Sequence, residues 1–210
     1  FERRELDACK RQLVDYLDFE AAFLPTFHPA YFEHEIGVQD GVVYAGHPFM
    51  GIVDRIDVDD AGNAVIVDYK GSVGPAHEIA GKGVHDPGKV QTRMYARAVE
   101  RALGLKVVGA FYVSYGKSHG CAGAFDGRAI EAAHVPNARV GKCSCALEQP
   151  DCVDQVDDFS QLTFSGMLDA TEALVSDAID SMVAGRVQPA PATPDACRYC
   201  PVANCSARGA

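Results

Sequence analysis

The feature that most restricts this chain is a strand that starts apolar and ends on charge. Ala64-Val65-Ile66-Val67 runs directly into Asp68-Tyr69-Lys70. Side chains alternate along a strand, so Asp68 and Lys70, two residues apart, share one face. A carboxylate and an ammonium beside apolar neighbours need a partner or a task. Upstream, Gly51-Ile52-Val53-Asp54-Arg55-Ile56-Asp57 has strand-like patterning, and Asp59-Asp60-Ala61-Gly62-Asn63 is a turn, so residues 50–70 read as a hairpin. Asp54 falls near the end of the facing strand, where it can meet Asp68 across the pair.

Two carboxylates held that close repel unless a cation lies between them. Oxygen-only ligands suit Mg²⁺ or Mn²⁺ rather than zinc, and the backbone carbonyl of Tyr69 can supply a third oxygen. Lys70 is then placed to orient a water or to hold a scissile phosphate, and the chemistry implied is metal-assisted phosphodiester hydrolysis. The competing reading is plainer: Asp54 pairs with Arg55 or Lys70 as an ordinary surface ion pair.

The rest of the chain supports a single α/β core. Leu6, Leu13, Tyr16, Leu17 and Phe23 recur mostly at three or four residues over 2–24, which predicts an amphipathic helix ending before Pro25. A short extended piece lies around Phe32 to Ile36, with further strand signals at Val42 to Tyr44 and over Lys106 to Tyr115. Gly71 to Gly88 is a Gly-rich loop, residues 88–103 have helical spacing closed by Gly104, and Ser160 to Ala184 is a long helix closed by Gly185. Residues 116–158 have weak periodicity and read as an irregular Cys-rich insertion within a domain over 1–185, followed by a Pro/Cys-rich tail over 186–210. Helix, strand, strand, helix, strand, helix is the order of a helix-covered sheet. No apolar run approaches the roughly 18–20 residues needed to cross a bilayer, so no membrane association is expected and the expected compartment is the cytoplasm. At 48% apolar the chain is not disordered, and with 19 Lys+Arg against 29 Asp+Glu its net charge of −10 is unlike that of a protein that coats nucleic acid. The chain opens Phe1-Glu2-Arg3-Arg4 without an initiator Met, which reads as a piece of a longer protein.

Gly51 to Asp57, then Asp68-Tyr69-Lys70, then Gln91 to Tyr95-Ala96 together resemble the RecB-type nuclease domains of the PD-(D/E)xK superfamily. The match covers about residues 30–115, and the combination is specific where Asp-x-Lys alone is weak. The resemblance implies a restriction-endonuclease-like fold, a mixed central sheet flanked by helices. It implies Asp54 and Asp68 as ligands of Mg²⁺ or Mn²⁺, Lys70 as catalytic, and Gln91 and Tyr95 lining the site from the following helix. The further upstream ligand of that family, a His or substitute acid on a helix, has no match in residues 1–29, where His28 sits between Phe27 and Pro29. Glu33 and Glu35 flank the site in sequence and are read as solvated strand carboxylates.

On the 88–103 helix, Lys89, Arg93, Arg97 and Arg101 recur every four residues. At about 100° per residue, Gln91 and Tyr95 lie roughly opposite the middle of that stripe. If those two face the site, the stripe faces away, as a solvated surface or a contact with another subunit. Val90, Met94, Ala98 and Ala102 are then expected against the sheet.

Cys197-Arg-Tyr-Cys200-Pro-Val-Ala-Asn-Cys205 is a crowded triplet that reads as metal ligands, for zinc or an iron–sulfur cluster. Part of the RecB-type family, including AddB subunits and CRISPR-associated nucleases, ends in a similar triplet that holds a 4Fe–4S cluster with one distant upstream Cys. Cys9 is the candidate here, although it is followed by Lys10-Arg11-Gln12 and the alternative is a partner cysteine preceding Phe1. Cys121, Cys143, Cys145 and Cys152 form a candidate second zinc group, with metal-free loop cysteines the alternative. The resemblance therefore implies a DNA exonuclease domain of an AddB-like helicase–nuclease, with a helicase–nuclease partner subunit and the preceding part of its own chain as partners. Alternatives are a stand-alone CRISPR-associated-type single-strand exonuclease and a catalytically idle DNA-binding or docking module.

Overall fold

In the computed structural model, the described residues are 2–74, 89–116, 119–126, 143–146, 163–189, 197–198, 200–202 and 204–205. Helix α1 (Glu2–Ala22) leads into β1 (His28–Ile36), a small ribbon of β2 (Val43–Tyr44) and β3 (His47–Pro48), and the hairpin β4 (Gly51–Val58) and β5 (Asn63–Lys70). Then come α2 (Gln91–Leu103), β6 (Lys106–Ser114), β7 (Gly120–Asp126), β8 (Cys143–Ala146) and α3 (Phe164–Val183). Two compact units divide the chain, residues 1–173 and 174–210, the boundary falling within α3. Among the described residues no helix is long and apolar enough to cross a membrane.

The first unit holds a six-stranded mixed sheet in the order β1-β4-β5-β6-β7-β8. β1, β4 and β5 pair antiparallel, as the hairpin requires. β6 runs parallel to β5, because the connection between them is a crossover that carries α2. Gly104 closes α2 at φ 66, a left-handed position where a side chain is unfavourable, and its N–H donates to the Glu100 carbonyl.

Each face of the sheet has its own layer. Val65, Val67, Val108, Phe111, Val113 and Phe125 form a buried cluster on one face, against which Tyr16, Phe19 and Phe23 of α1 pack, joined by Tyr69 and Cys121. Phe23 meets Phe111 edge-on at 5.5 Å between ring centroids. The helical reading of 2–24 holds, but the buried side does not include the leucines: Leu6, Leu13 and Leu17 are all more than half exposed. The aromatics lie about 100° around the helix from them, and their larger area fills the sheet contact.

Three expectations are corrected. Residues 116–158 are not wholly irregular, since they contain β7, antiparallel to β6, and β8, parallel to β7. The expected sheet-facing set of α2, Val90, Met94, Ala98 and Ala102, holds only at Ala98: the buried set is Thr92, Arg93, Ala96, Ala98 and Val99, and the other three are half-buried. Finally, Arg93, Arg97 and Arg101 of the basic stripe are not a simply solvated face. Arg93 is 2% exposed, and Arg97 pairs with Glu100 at 2.7 Å and with Asp169 at the start of α3. Arg101 pairs with Glu172 at 2.7 Å and lies 5.9 Å from the Tyr44 ring centroid. Arg97 and Arg101 thus form a seam between α2 and the first turns of α3.

Glu172 is the centre of that seam, because it also accepts the Ala45 N–H at 2.8 Å. The Arg101 hydrogen bond, outweighing burial, holds its carboxyl below the ordinary value of 4.5. A lowered folded value means that its contribution is complete above about pH 4.5 and is lost as the pH falls through the folded value. Glu172→Gln is expected to cost about 1–2 kcal/mol at neutral pH. Thermal melts across pH 3–7 check this, the wild type and variant converging at the acid end.

Candidate active site

The β4–β5 ladder ends at Arg55↔Val67, and the next rung out belongs to Asp54 and Asp68. There the strands part and side chains replace the ladder: the Tyr69 N–H donates to Asp54 Oδ2 at 2.9 Å. Asp68 is 1% exposed and ion-paired with the Lys70 ammonium. On its other side β5 stays paired with β6, Asp68 beside Tyr112 and Lys70 beside Ser114. The end of β5 is pinned as well, with the Tyr115 N–H donating to the Lys70 carbonyl at 3.1 Å.

From above, α2 completes the group. Lys70 Nζ donates to Gln91 Oε1 at 3.2 Å, and Gln91 Nε2 donates to the Tyr95 hydroxyl at 3.3 Å. Lys70 Nζ also lies 5.6 Å from the Tyr112 ring centroid. Burial works against its charge, but Asp68, with Tyr112 and Asp54 adding to it, holds the ammonium above the usual lysine value. The Asp68 carboxylate thus favours the ammonium form of Lys70.

Asp54, Asp68, Tyr69, Lys70, Gln91 and Tyr95 thus meet at one place. Glu33 does not join them in a compact set. It stands opposite Asp54 in the β1–β4 register, between Phe32↔Arg55 and His34↔Val53, at φ 46 with its side chain exposed. His28 and Glu35 lie at exposed positions of the same strand. Among the described residues no three His, Cys, Asp or Glu side chains are gathered closely enough to hold a metal ion. The groups that could hold a metal at the rung are the Asp54 and Asp68 carboxylates, with the Tyr69 carbonyl as the expected third oxygen. Such hard oxygen donors fit Mg²⁺ or Mn²⁺ and not a thiophilic metal.

Cys197, Cys200 and Cys205 are partly buried, Cys9 is an exposed residue of α1, and among the described residues no group of three metal-ligating side chains is gathered around them. A 4Fe–4S or zinc site is accordingly not assigned. Of the second cysteine set, Cys121 packs on the α1 side of the sheet. Cys143 and Cys145 occupy backbone positions on β8 opposite Gly123 and Phe125, and Cys152 lies outside the described residues.

The chain matches the PD-(D/E)XK nuclease superfamily over residues 1–205, with the matched span containing every residue of the rung. It belongs to that superfamily. No curated protein and no solved structure matches the chain. Membership makes the chain a nuclease by family, and it agrees with the restriction-endonuclease-like arrangement of a mixed sheet flanked by helices.

The sequence reading missed one set of charged residues. Arg55, Asp57 and Glu20 form a buried ionic group on the opposite face of the sheet, against α1. Its signal was available, because Arg55 and Asp57 stand two apart on one face of a strand, as Asp68 and Lys70 do.

The motif glycine has a steric role in this nuclease. A Cβ at Gly51 would lie 2.9 Å from Tyr95 Cε1, too close for the ring to stay. Displacing Tyr95 pulls on Gln91 and through it on Lys70. Gly51→Ala is expected to slow phosphodiester cleavage about tenfold, roughly 1.4 kcal/mol, while the circular-dichroism spectrum stays native.

Proposed function

We propose that this chain is a divalent-metal-dependent DNA exonuclease domain of the RecB type, working within an AddB-like helicase–nuclease that processes double-strand ends. The observation that carries the reading is the rung where Asp54 and Asp68 face each other beside Lys70, with Lys70 held by Gln91 and Gln91 by Tyr95. The order of Gly51 to Asp57, Asp68 to Lys70 and Gln91 to Tyr95 supports the RecB subtype.

Asp54, Asp68 and the Tyr69 carbonyl would hold Mg²⁺ or Mn²⁺. The bound cation lowers the pKa of a water and neutralises charge on the scissile phosphate. The chain's own part is positional. Asp54 is fixed by the Tyr69 N–H, so its carboxylate is oriented in advance. Lys70, a cation whose direction is set by Gln91, donates to the attacking water or to a non-bridging phosphate oxygen and offsets the charge developing there. Buried Tyr112 beneath Lys70 keeps that side of the site dry. The net charge of −10 then concerns only the remaining surface, because a dication reverses the local sign where phosphate must sit. Most of the grip on DNA comes from other parts of the helicase–nuclease.

End-labelled linear duplex, linear single strands and covalently closed circles, each with Mg²⁺, Mn²⁺ or EDTA, test this reading. Metal-dependent release of label from linear substrates, with circles resistant, is expected. Cleavage of closed circles would overturn the exonuclease assignment. An absence of metal-dependent cleavage on every DNA substrate would leave the idle docking module as the correct reading.

A further inference from the structure

Behind the site, on the α1 face of the sheet, Arg55 is almost fully buried, at 5% exposure. Its guanidinium is fully engaged. Nε and Nη2 donate to the two oxygens of Asp57 at 2.5 and 2.7 Å. Nη1 donates to Glu20 of α1 and to the Tyr69 hydroxyl, the latter at 3.0 Å. Burial opposes the charge, but the bonds to Asp57 hold Arg55 well above the usual arginine value, so the guanidinium is permanently cationic. Ion pairing alone needs only the carboxylates. The bond to Tyr69 is an addition, and it reaches through the sheet to the site.

Tyr69 links the two faces. Its side chain lies with α1, the Tyr16 ring edge-on at 6.3 Å. Its N–H holds Asp54, its carbonyl belongs to the donor set, and its neighbours in the strand are Asp68 and Lys70. Tyr69 stands beyond the last ladder pair of β4 and β5, where backbone pairing to β4 no longer fixes it. Pairing with β6 holds one edge of this segment, and the hydroxyl anchored on the α1 face adds a second restraint on the peptide that would carry the ligands.

We propose that Arg55 is a positioning residue for the metal site, acting through the Tyr69 hydroxyl to fix the Asp68–Tyr69–Lys70 segment, while Glu20 ties helix α1 to the same guanidinium. The inference rests on the nuclease reading above, because it concerns the geometry of that site. A buried ionic group that served only stability would give a different result when the Tyr69 bond alone is removed.

Tyr69→Phe is the decisive variant, since Arg55→Met removes the whole ionic group and risks the fold. The ring and its edge-on packing on Tyr16 remain, and the hydroxyl is lost together with its bonds to Arg55 and to the Tyr16 side chain. Mn²⁺ affinity, read by electron paramagnetic resonance on wild type and variant, is expected to weaken about tenfold, with the half-saturating Mg²⁺ concentration for cleavage rising in step. The melting temperature is expected to fall by only a few degrees. If wild type binds Mn²⁺ and cleaves DNA, and Tyr69→Phe does both equally well, the positioning role is wrong and the nuclease reading stands. A wild type that binds no Mn²⁺ overturns both.

Discussion

Asp68→Asn is expected to abolish cleavage, lowering turnover by about three orders of magnitude, or roughly 4 kcal/mol of transition-state stabilisation. The argument rests on where Asp68 lies. It is buried to 1% exposure near the end of a strand whose preceding residues, Ala64 to Val67, are apolar, and it shares its surroundings with Asp54 and Lys70. Asn keeps the volume but removes the charge that would bind a hard dication. The same variant is expected to lose Mn²⁺ affinity.

Lys70→Met separates binding from chemistry. It too is expected to reduce turnover by about three orders of magnitude, because the cation that orients the water or phosphate is gone. Yet it removes a positive charge next to the donor set, so Mn²⁺ affinity is expected to stay the same or increase. Calorimetric titration with Mn²⁺ beside single-turnover cleavage on both variants checks the split. Equal loss of metal binding in both would place Lys70 in the architecture of the site and not in its chemistry.

The second large effect concerns stability. Arg55→Met is expected to destabilise the fold by about 3–5 kcal/mol, because it leaves Asp57, at 1% exposure, and the partly buried Glu20 without their cation. The cost comes from the stranded carboxylates more than from a large net gain of the original pair. Accordingly, the double variant with Asp57→Leu is expected to recover part of the loss, since the buried acid goes with the cation. Urea melts of wild type, single and double variants measure this, and a double variant as unstable as Arg55→Met would show that the ion group is not the source.

These residues also show how far a sequence carries the structure. The hairpin was legible because a turn rich in Asp and Gly separates two apolar runs, and because Asp68 and Lys70 must share a face. Gly104 marked the end of α2 for a local reason, its left-handed backbone. The basic stripe was misread because its meaning depends on a distant element. Arg97 and Arg101 look solvated until the start of α3 brings Asp169 and Glu172 to them. Strand β7 escaped notice because Gly120-Cys121-Ala122-Gly123-Ala124 offers small residues with no alternation, and only pairing with β6 makes it a strand. In α1 the periodicity was read correctly but its buried side was not, since Tyr16, Phe19 and Phe23 outcompete the leucines for the sheet. Within the site, Asp54, Asp68, Lys70, Gln91 and Tyr95 were named from motif order, whereas Arg55 and Glu20 needed the fold to bring helix and strand together.

The central claim is that the end of the β4–β5 ladder is a divalent-metal site formed by Asp54, Asp68 and the Tyr69 carbonyl. Anomalous diffraction at the manganese edge, from crystals grown with Mn²⁺, tests it most directly. The expected result is a peak within coordinating distance of those three groups that disappears in Asp68→Asn. A manganese peak bound elsewhere on the chain, with none at this rung, would contradict the claim.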